Sequence, residues 1–161
     1  MSDPVVQQQD IYSLLVPLSE HRLLVPRANI AEVTGHRECK SIDGAPPWLL
    51  GTFAWEKEII PLISFEGAMG HATPETNART RIVLLRTLGD ALKVPCFGVV
   101  THGFPQLVRV NSMVVTRDES NEWPAEGPVL CQLRMVNQTP LVPDIEYLEQ
   151  QIAAAWSAST R

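Results

Sequence analysis

Cysteine is scarce in this chain of 161 residues, which carries three: Cys39, Cys96 and Cys131. They are odd in number, widely spaced and form no CxxC pair. A disulfide framework is excluded, and a reducing compartment fits best. Positive charge is also in short supply. Thirteen Lys and Arg stand against eighteen Asp and Glu, giving a formal net charge of −5 and a pI near 5.3. Nonspecific nucleic-acid binding needs basic surface to replace phosphate counterions, so a nucleic-acid partner is not expected. No apolar run is long enough to span a bilayer. The opening MSDPVVQQQD has no basic stretch followed by an apolar one, so no signal peptide is expected either. These absences together predict a cytoplasmic protein with no direct membrane insertion.

Motifs that carry chemistry are missing too. GxGxxG, Walker, HExxH and GxSxG patterns do not occur. Cys96 and His102 are a Cys/His pair on one predicted strand, but six residues at about 3.3 Å each set them roughly 20 Å apart, beyond hydrogen-bond reach. His36 and Cys39 are spaced i and i+3 and on a helix would share a face fit for zinc. A structural zinc site needs four ligands, and no second pair completes it. The plainer reading is a surface histidine beside a half-buried thiol. Glu56 and Glu58 fall on a predicted exposed turn and read as solvating charge, not as an acid and base pair. No catalytic residue, metal or cofactor is expected, and the chain is read as not an enzyme.

What is present is an ordinary globular balance, 45% hydrophobic and 19% charged. The length suits one domain or two intimate subdomains, with roughly 70% of the unfolded surface buried on folding. Residues 46–65, PPWLLGTFAWEKEIIPLISF, predict strand, tight polar turn and strand. Leu49, Gly51, Phe53 and Trp55 share one face by the two-residue period. Gly51 weakens a strand interior and so marks close approach of another backbone. Pro61 removes a ladder donor, so its strand should lie at an edge or carry a bulge.

Strands are also predicted over 11–18, 22–26, 80–86, 92–103 with a break at Pro95, 104–110, 113–117, 129–136 and 139–142. In the first, Tyr12, Leu14, Val16 and Leu18 share a face. In 129–136, Val129, Cys131, Leu133 and Met135 should face the core and Gln132 and Arg134 should face out. Residues 27–33 predict a turn or two of helix with Ile30 and Val33 on one side. Residues 66–80 and 118–128 read as loops. The one good helix spans 144–156, capped by Asp144, with Glu146 at its positive end and Ile145, Leu148, Ile152 and Trp156 as its apolar stripe. Many short strands with one terminal helix predict an all-β domain of barrel or sandwich type.

The segments IAEV (30–33), PPWLLG (46–51), IIPLISF (59–65), TRIVLL (80–85), FGVV (97–100) and LVPDIEYL (141–148) occur in the order and rough spacing of the chemotaxis coupling protein family, the CheW-like domains. The chain resembles that family over about residues 10–150. The opening LLVPLSEHRLLVPRANIAEV looks most like the ChpC-like and PilI-like branch that serves type IV pilus chemosensory systems. The resemblance implies two small five-stranded, SH3-like β-barrel subdomains packed together, interwoven within 10–150. A polar arm over 1–9 would precede them, and 151–161 would hold the end of the C-terminal helix and a tail. It implies no enzyme activity. Such proteins are adaptors that join the cytoplasmic tip of a methyl-accepting chemoreceptor to the regulatory domain of a CheA-like histidine kinase, in arrays associated with the membrane.

The family's kinase-facing positions fall on Ile30, Glu32, Val33 and Gly51. Its receptor-facing positions fall near Glu56, Arg81, Ile82 and Phe104. For Ile30, Val33 and Ile82 plain core packing competes with that role. Three departures stand out. Where the family reads asparagine, leucine, arginine, glycine at the hairpin turn, this chain has Ala54-Trp55-Glu56-Lys57, so Glu56 reverses a charge. The aspartate after the second strand is Ser64, and a later valine-aspartate is Thr101-His102. The expected function is a chemosensory adaptor in pilus-driven twitching motility. The alternatives are a coupling protein for flagellar chemotaxis, or a small-molecule-binding β-barrel with a cleft lined by Ile82 and Phe104.

Overall fold

The computed structural model describes residues 10–159, so the arm expected over 1–9 lies outside the described residues. Eleven strands and two helices follow one another: β1 Ile11–Pro17, β2 Arg22–Pro26, β3 Ile30–Gly35, β4 Leu49–Trp55, β5 Glu58–Ile63, α1 Phe65–Ala68, β6 Arg81–Arg86, β7 Cys96–Thr101, β8 Gln106–Val110, β9 Thr116–Arg117, β10 Val129–Arg134, β11 Leu141–Pro143 and α2 Ile145–Ser159. They make two sheets, β8-β1-β2-β11-β10-β9 and β3-β6-β7-β5-β4. The mostly-β, two-sheet architecture with a C-terminal helix is the one expected. The first sheet counts six strands because the two-residue β9 pairs on the outer edge of β10.

The chain weaves between the sheets. β1 and β2 open the first sheet, β3 to β7 form the second, and β8 to β11 return to the first. The core follows this weave. Val16, Leu18, Leu23 and Val25 of the first sheet and its turn meet Val83, Leu85, Phe97 and Val99 of the second in one apolar layer. Ile145, Leu148 and Ile152 of α2 pack into the same layer, which is why that helix carries its stripe there. Asp144 accepts from the Tyr147 amide at 3.0 Å, the cap that starts α2. Phe53, Ile60, Leu62, Ile82, Leu84 and Cys96 fill the other face of the second sheet. Leu15, Leu24 and Val110 do the same for the first.

Residues 27–33 are not the helix that the spacing of Ile30 and Val33 suggested. Arg27–Asn29 make one 3-10 turn and the rest is β3. The register against β6 slips at Ala31: Ile30 pairs with Leu85, Glu32 with Leu84 and Val33 with Val83. That bulge lets residues three apart face the same core layer from a strand. The β-branched side chains at 30, 33 and 34 favour the extended form.

Pro61 does not lie at an edge, since β5 sits between β7 and β4. The parallel ladder to β7 starts one residue later, at Leu62, so no bond to that strand is lost at the proline. The bulge falls in the partner strand, between Leu49 and Gly51. It splits β4 between two cores: Leu49 joins the shared layer, and Phe53 joins the far face of the second sheet.

Gln132, expected to face out, is buried. The 118–123 loop folds over it and satisfies the amide. Its Nε2 donates to Asp118 at 3.2 Å, and its Oε1 accepts from Asn121 and from the Trp123 indole, each at 3.1 Å. The Asp118 carboxylate also accepts from the Ser120 amide and from Arg134, each at 3.0 Å. The Ser120 hydrogen bonds, and Arg134 after them, hold its carboxyl below the usual carboxylate range.

Candidate functional site

Gly51 sits where the second sheet is closed by the chain crossing its rim. The Lys40 amide donates to the Thr52 carbonyl at 2.7 Å and the Thr52 amide returns a bond to Lys40 at 2.9 Å. The Arg37 guanidinium donates to the Ala54 carbonyl at 3.0 Å, and the Cys39 thiol donates to the Leu50 carbonyl at 3.4 Å. A Cβ at Gly51 would stand 2.4 Å from the Lys40 carbonyl oxygen, and φ is +152°. Backbone therefore approaches backbone here, the close contact that the glycine signalled. The same contact buries Gly51, so it is not open to a partner, contrary to its place among the kinase-facing residues.

Ile82 is corrected in the same way. It is 0% exposed and packs with Phe53, Ile60 and Leu62 inside the second sheet. It lines no cleft with Phe104, which is 70% exposed on the connection between β7 and β8. The interior has no room to spare either: a Cβ at Gly98 would come within 2.9 Å of both Ile82 and Leu62. That packing leaves Ile82 no free space on the inner face of the sheet. Ile30 and Val33 are half-buried against the shared layer, and Glu32 is exposed on the opposite face.

The remaining expected residues regroup into two surfaces. At one end of the second sheet, the Trp55 indole nitrogen donates to Glu32 at 2.8 Å, joining edge strands β4 and β3 across the sheet. Glu56 follows directly on Trp55 in the hairpin turn, and Glu58 opens β5 opposite Trp55. Cys96, inside this end, has its thiol pushed up to about 11, by burial first and then by Glu56, Glu32 and Glu58 against the relief from Arg86. A thiol in that state is no nucleophile near neutral pH. Glu32 and Glu56, assigned by resemblance to different partners, thus share one acidic end.

Arg81 and Phe104 form the second surface. β6 pairs Arg86 with Cys96 and Arg81 with Thr101, so Arg81 lies at the far end of the strand from the carboxylates. Its guanidinium carbon stands 4.6 Å from the Phe104 ring centroid, and its Nη1 donates to the Ala78 and Thr80 carbonyls at 3.0 and 2.9 Å. Tyr12 of β1 and Leu107 of β8 are also exposed, on strands that pair with each other.

The sequence departures have local explanations. Ser64 accepts from the Gly67 amide at 3.1 Å and so caps α1, a role that serine and aspartate share. The Thr101 hydroxyl donates to the Gly103 carbonyl at 2.7 Å. Among the described residues no group of three or more His, Cys, Asp or Glu is placed to hold a metal ion, and no helix is long and apolar enough to cross a membrane.

Residues 13–125 match the CheW-like domain family. The chain belongs to that family. The crystal structure of scaffolding protein TtCheW from Thermoanaerobacter tengcongensis shares the fold of this CheW-like chain, with a TM-score of 0.73 at 14% identity over 87% of this chain and 92% of that one. No curated protein sequence matches it.

Two contacts outside the predicted set also matter. Glu149 of α2 is buried and accepts from the Leu88 and Gly89 amides, the second at 2.9 Å, tying α2 to the β6–β7 loop. The Trp55–Glu32 bond is the other. A Trp facing a Glu on a strand distant in sequence leaves no signal in sequence spacing.

Proposed function

We propose that this protein is a non-catalytic chemosensory adaptor that couples the cytoplasmic tip of a chemoreceptor to the regulatory domain of a CheA-like histidine kinase. Membership of the CheW-like family across residues 13–125 carries the reading. The finer proposal places the adaptor in type IV pilus control, on the strength of its opening segment. Because Glu56 shares one end of the sheet with Glu32, it moves from the receptor-facing positions where the resemblance sets it to the kinase side, together with Glu32 and Glu58, and Arg81 and Phe104 stay on the receptor side. Exposed aromatic and arginine side chains are the groups enriched at such interfaces.

The decisive experiment is reconstitution. The full chain is mixed with the CheA-like kinase and a receptor-tip fragment from the same cell. Kinase activity should come under receptor control only when the chain is added. If it captures neither partner and leaves the kinase unchanged, the adaptor reading fails.

Glu56→Arg then probes the interface. The family places a basic residue at this turn, so a partner that accepts Glu56 must present positive charge there. Binding to the native kinase domain should weaken severalfold, and the loss should shrink at high salt. Unchanged affinity at low salt would remove Glu56 from the interface. A deletion strain should lose twitching and keep swimming. The opposite pattern would move the protein to the flagellar pathway.

A further inference from the structure

We propose that the cavity between the ends of β4 and β7 and the chain from Ser64 to Thr80 binds a small primary ammonium compound, with the Glu66 carboxylate as its counter-ion. The cavity measures about 120 Å³. A cavity of about 150 Å³ holds benzene, so this one takes a molecule of about five non-hydrogen atoms. Leu50 and Val100 give it an apolar wall, and Thr76, Thr80 and Thr101 supply hydroxyl groups. Glu66 also lines it and is only 7% exposed. A buried carboxylate is normally met by a cation or by several donors. Here Oε1 accepts from the Ser19 amide at 2.8 Å, and Oε2 accepts from no described residue. No described Lys, Arg or His forms an ion pair with Glu66. Oε2 is not sealed from solvent in the way that His21 Nε2 is. An ammonium group in the cavity can therefore reach it.

The lining selects for positive charge and for hydrogen-bond donors. No Lys or Arg borders the cavity, and a second carboxylate, Glu75, stands exposed at its rim. A primary ammonium carries three donors and no acceptor. One meets Glu66 Oε2, and the threonine hydroxyls offer lone pairs to the others. The Thr101 hydroxyl donates to the Gly103 carbonyl at 2.7 Å, which leaves its oxygen free to accept. A short carbon stem suits the Leu50 and Val100 wall. A metal ion does not fit, since among the described residues no group of three or more His, Cys, Asp or Glu is placed to hold one. The walls are also held in place before a ligand arrives. The Glu66 carbonyl accepts from the His71 amide at 2.9 Å, and the Thr80 hydroxyl accepts from the Asn77 amide at 2.8 Å. These bonds fix both ends of the 66–80 segment, so little ordering is left to oppose binding.

The test is a titration of the isotope-labelled full chain, read by amide NMR shifts, with three probes of similar size and different charge: ethanolammonium chloride, ethylene glycol and sodium glycolate. Ethanolammonium should shift the amides of Thr76, Thr80 and Thr101 along a saturating curve. The amides of Glu32 and Trp55, at the other end of the second sheet, should stay in place. Ethylene glycol, glycolate and sodium chloride at equal ionic strength should give no saturation. Glu66→Gln keeps an oxygen for the Ser19 amide and should weaken ethanolammonium binding at least tenfold. Glu75→Gln changes only an exposed side chain, so it folds as the parent does and should weaken binding severalfold. Absence of a saturating shift with ethanolammonium overturns the proposal. So does equal binding of ethylene glycol, which would mean that the cavity reads size and not charge, or parent-like binding by both variants.

Discussion

Lys40 leaves Gly51 no space for a side chain, and this decides what a substitution there does. A methyl group would overlap the Lys40 carbonyl oxygen, a backbone atom that cannot swing aside as a side-chain tip can. The positive φ adds backbone strain for any other residue. Gly51→Ala should therefore destabilise the fold by about 2–4 kcal/mol, the sum of overpacking and strain. The readout is the urea midpoint. A midpoint equal to the parent's would mean that the 37–40 segment moves away freely and does not close the sheet. Any loss of partner binding in a Gly51 variant reflects that lesion before it reflects a lost contact. Glu149 makes the related point for charge. A carboxylate in the middle of an apolar helix stripe is tolerated because two loop amides meet it.

Hairpins and bulges set the geometry at the scale of elements. The β4–β5 hairpin turns through Glu56 at φ 42° and Lys57 at φ 69°. Two positive φ values in a two-residue loop define a type I′ turn, which favours Asn-Gly because side chains strain the left-handed region. Lys57→Gly should stabilise the protein by about 0.5–1 kcal/mol, the relief of strain less the added freedom of the unfolded chain. A lower urea midpoint would show that Lys57 makes a contact worth more than that relief. Bulges at Ala31, Leu50 and Leu130 shift the phase of β3, β4 and β10. Each breaks the two-residue period on which a reading of the sequence relies. The spacing of Ile30 and Val33 mimics a helix for that reason, and Gln132 faces inward where a strict two-residue period turns it outward.

One apolar layer serves the whole molecule, with side chains from both sheets and from α2. Neither sheet can leave without exposing it, so the two halves should unfold together. Single-tryptophan variants keeping Trp55, at the rim of the second sheet, or Trp123, over the first, should give coincident urea transitions. Separate midpoints would show two independent units.

Alternating apolar residues, turn residues at regular intervals and one capped amphipathic stripe were enough to indicate an all-β chain closed by a helix. Those signals are local, and local propensity agreed with the fold nearly everywhere. The close approach at Gly51 was legible for the same reason, as a glycine in a strand that otherwise favours side chains. Which residues meet was not legible, because pairing distant strands is a property of register, and a single bulge changes it without a mark in composition. The tertiary structure alone brought Glu32 to Trp55, set Arg81 and Phe104 at the other end of the sheet from Glu56, and buried Gly51 and Ile82. The sequence by itself determined the elements and their order. The packing of two interwoven sheets decided which side chains remain on the surface to be recognised.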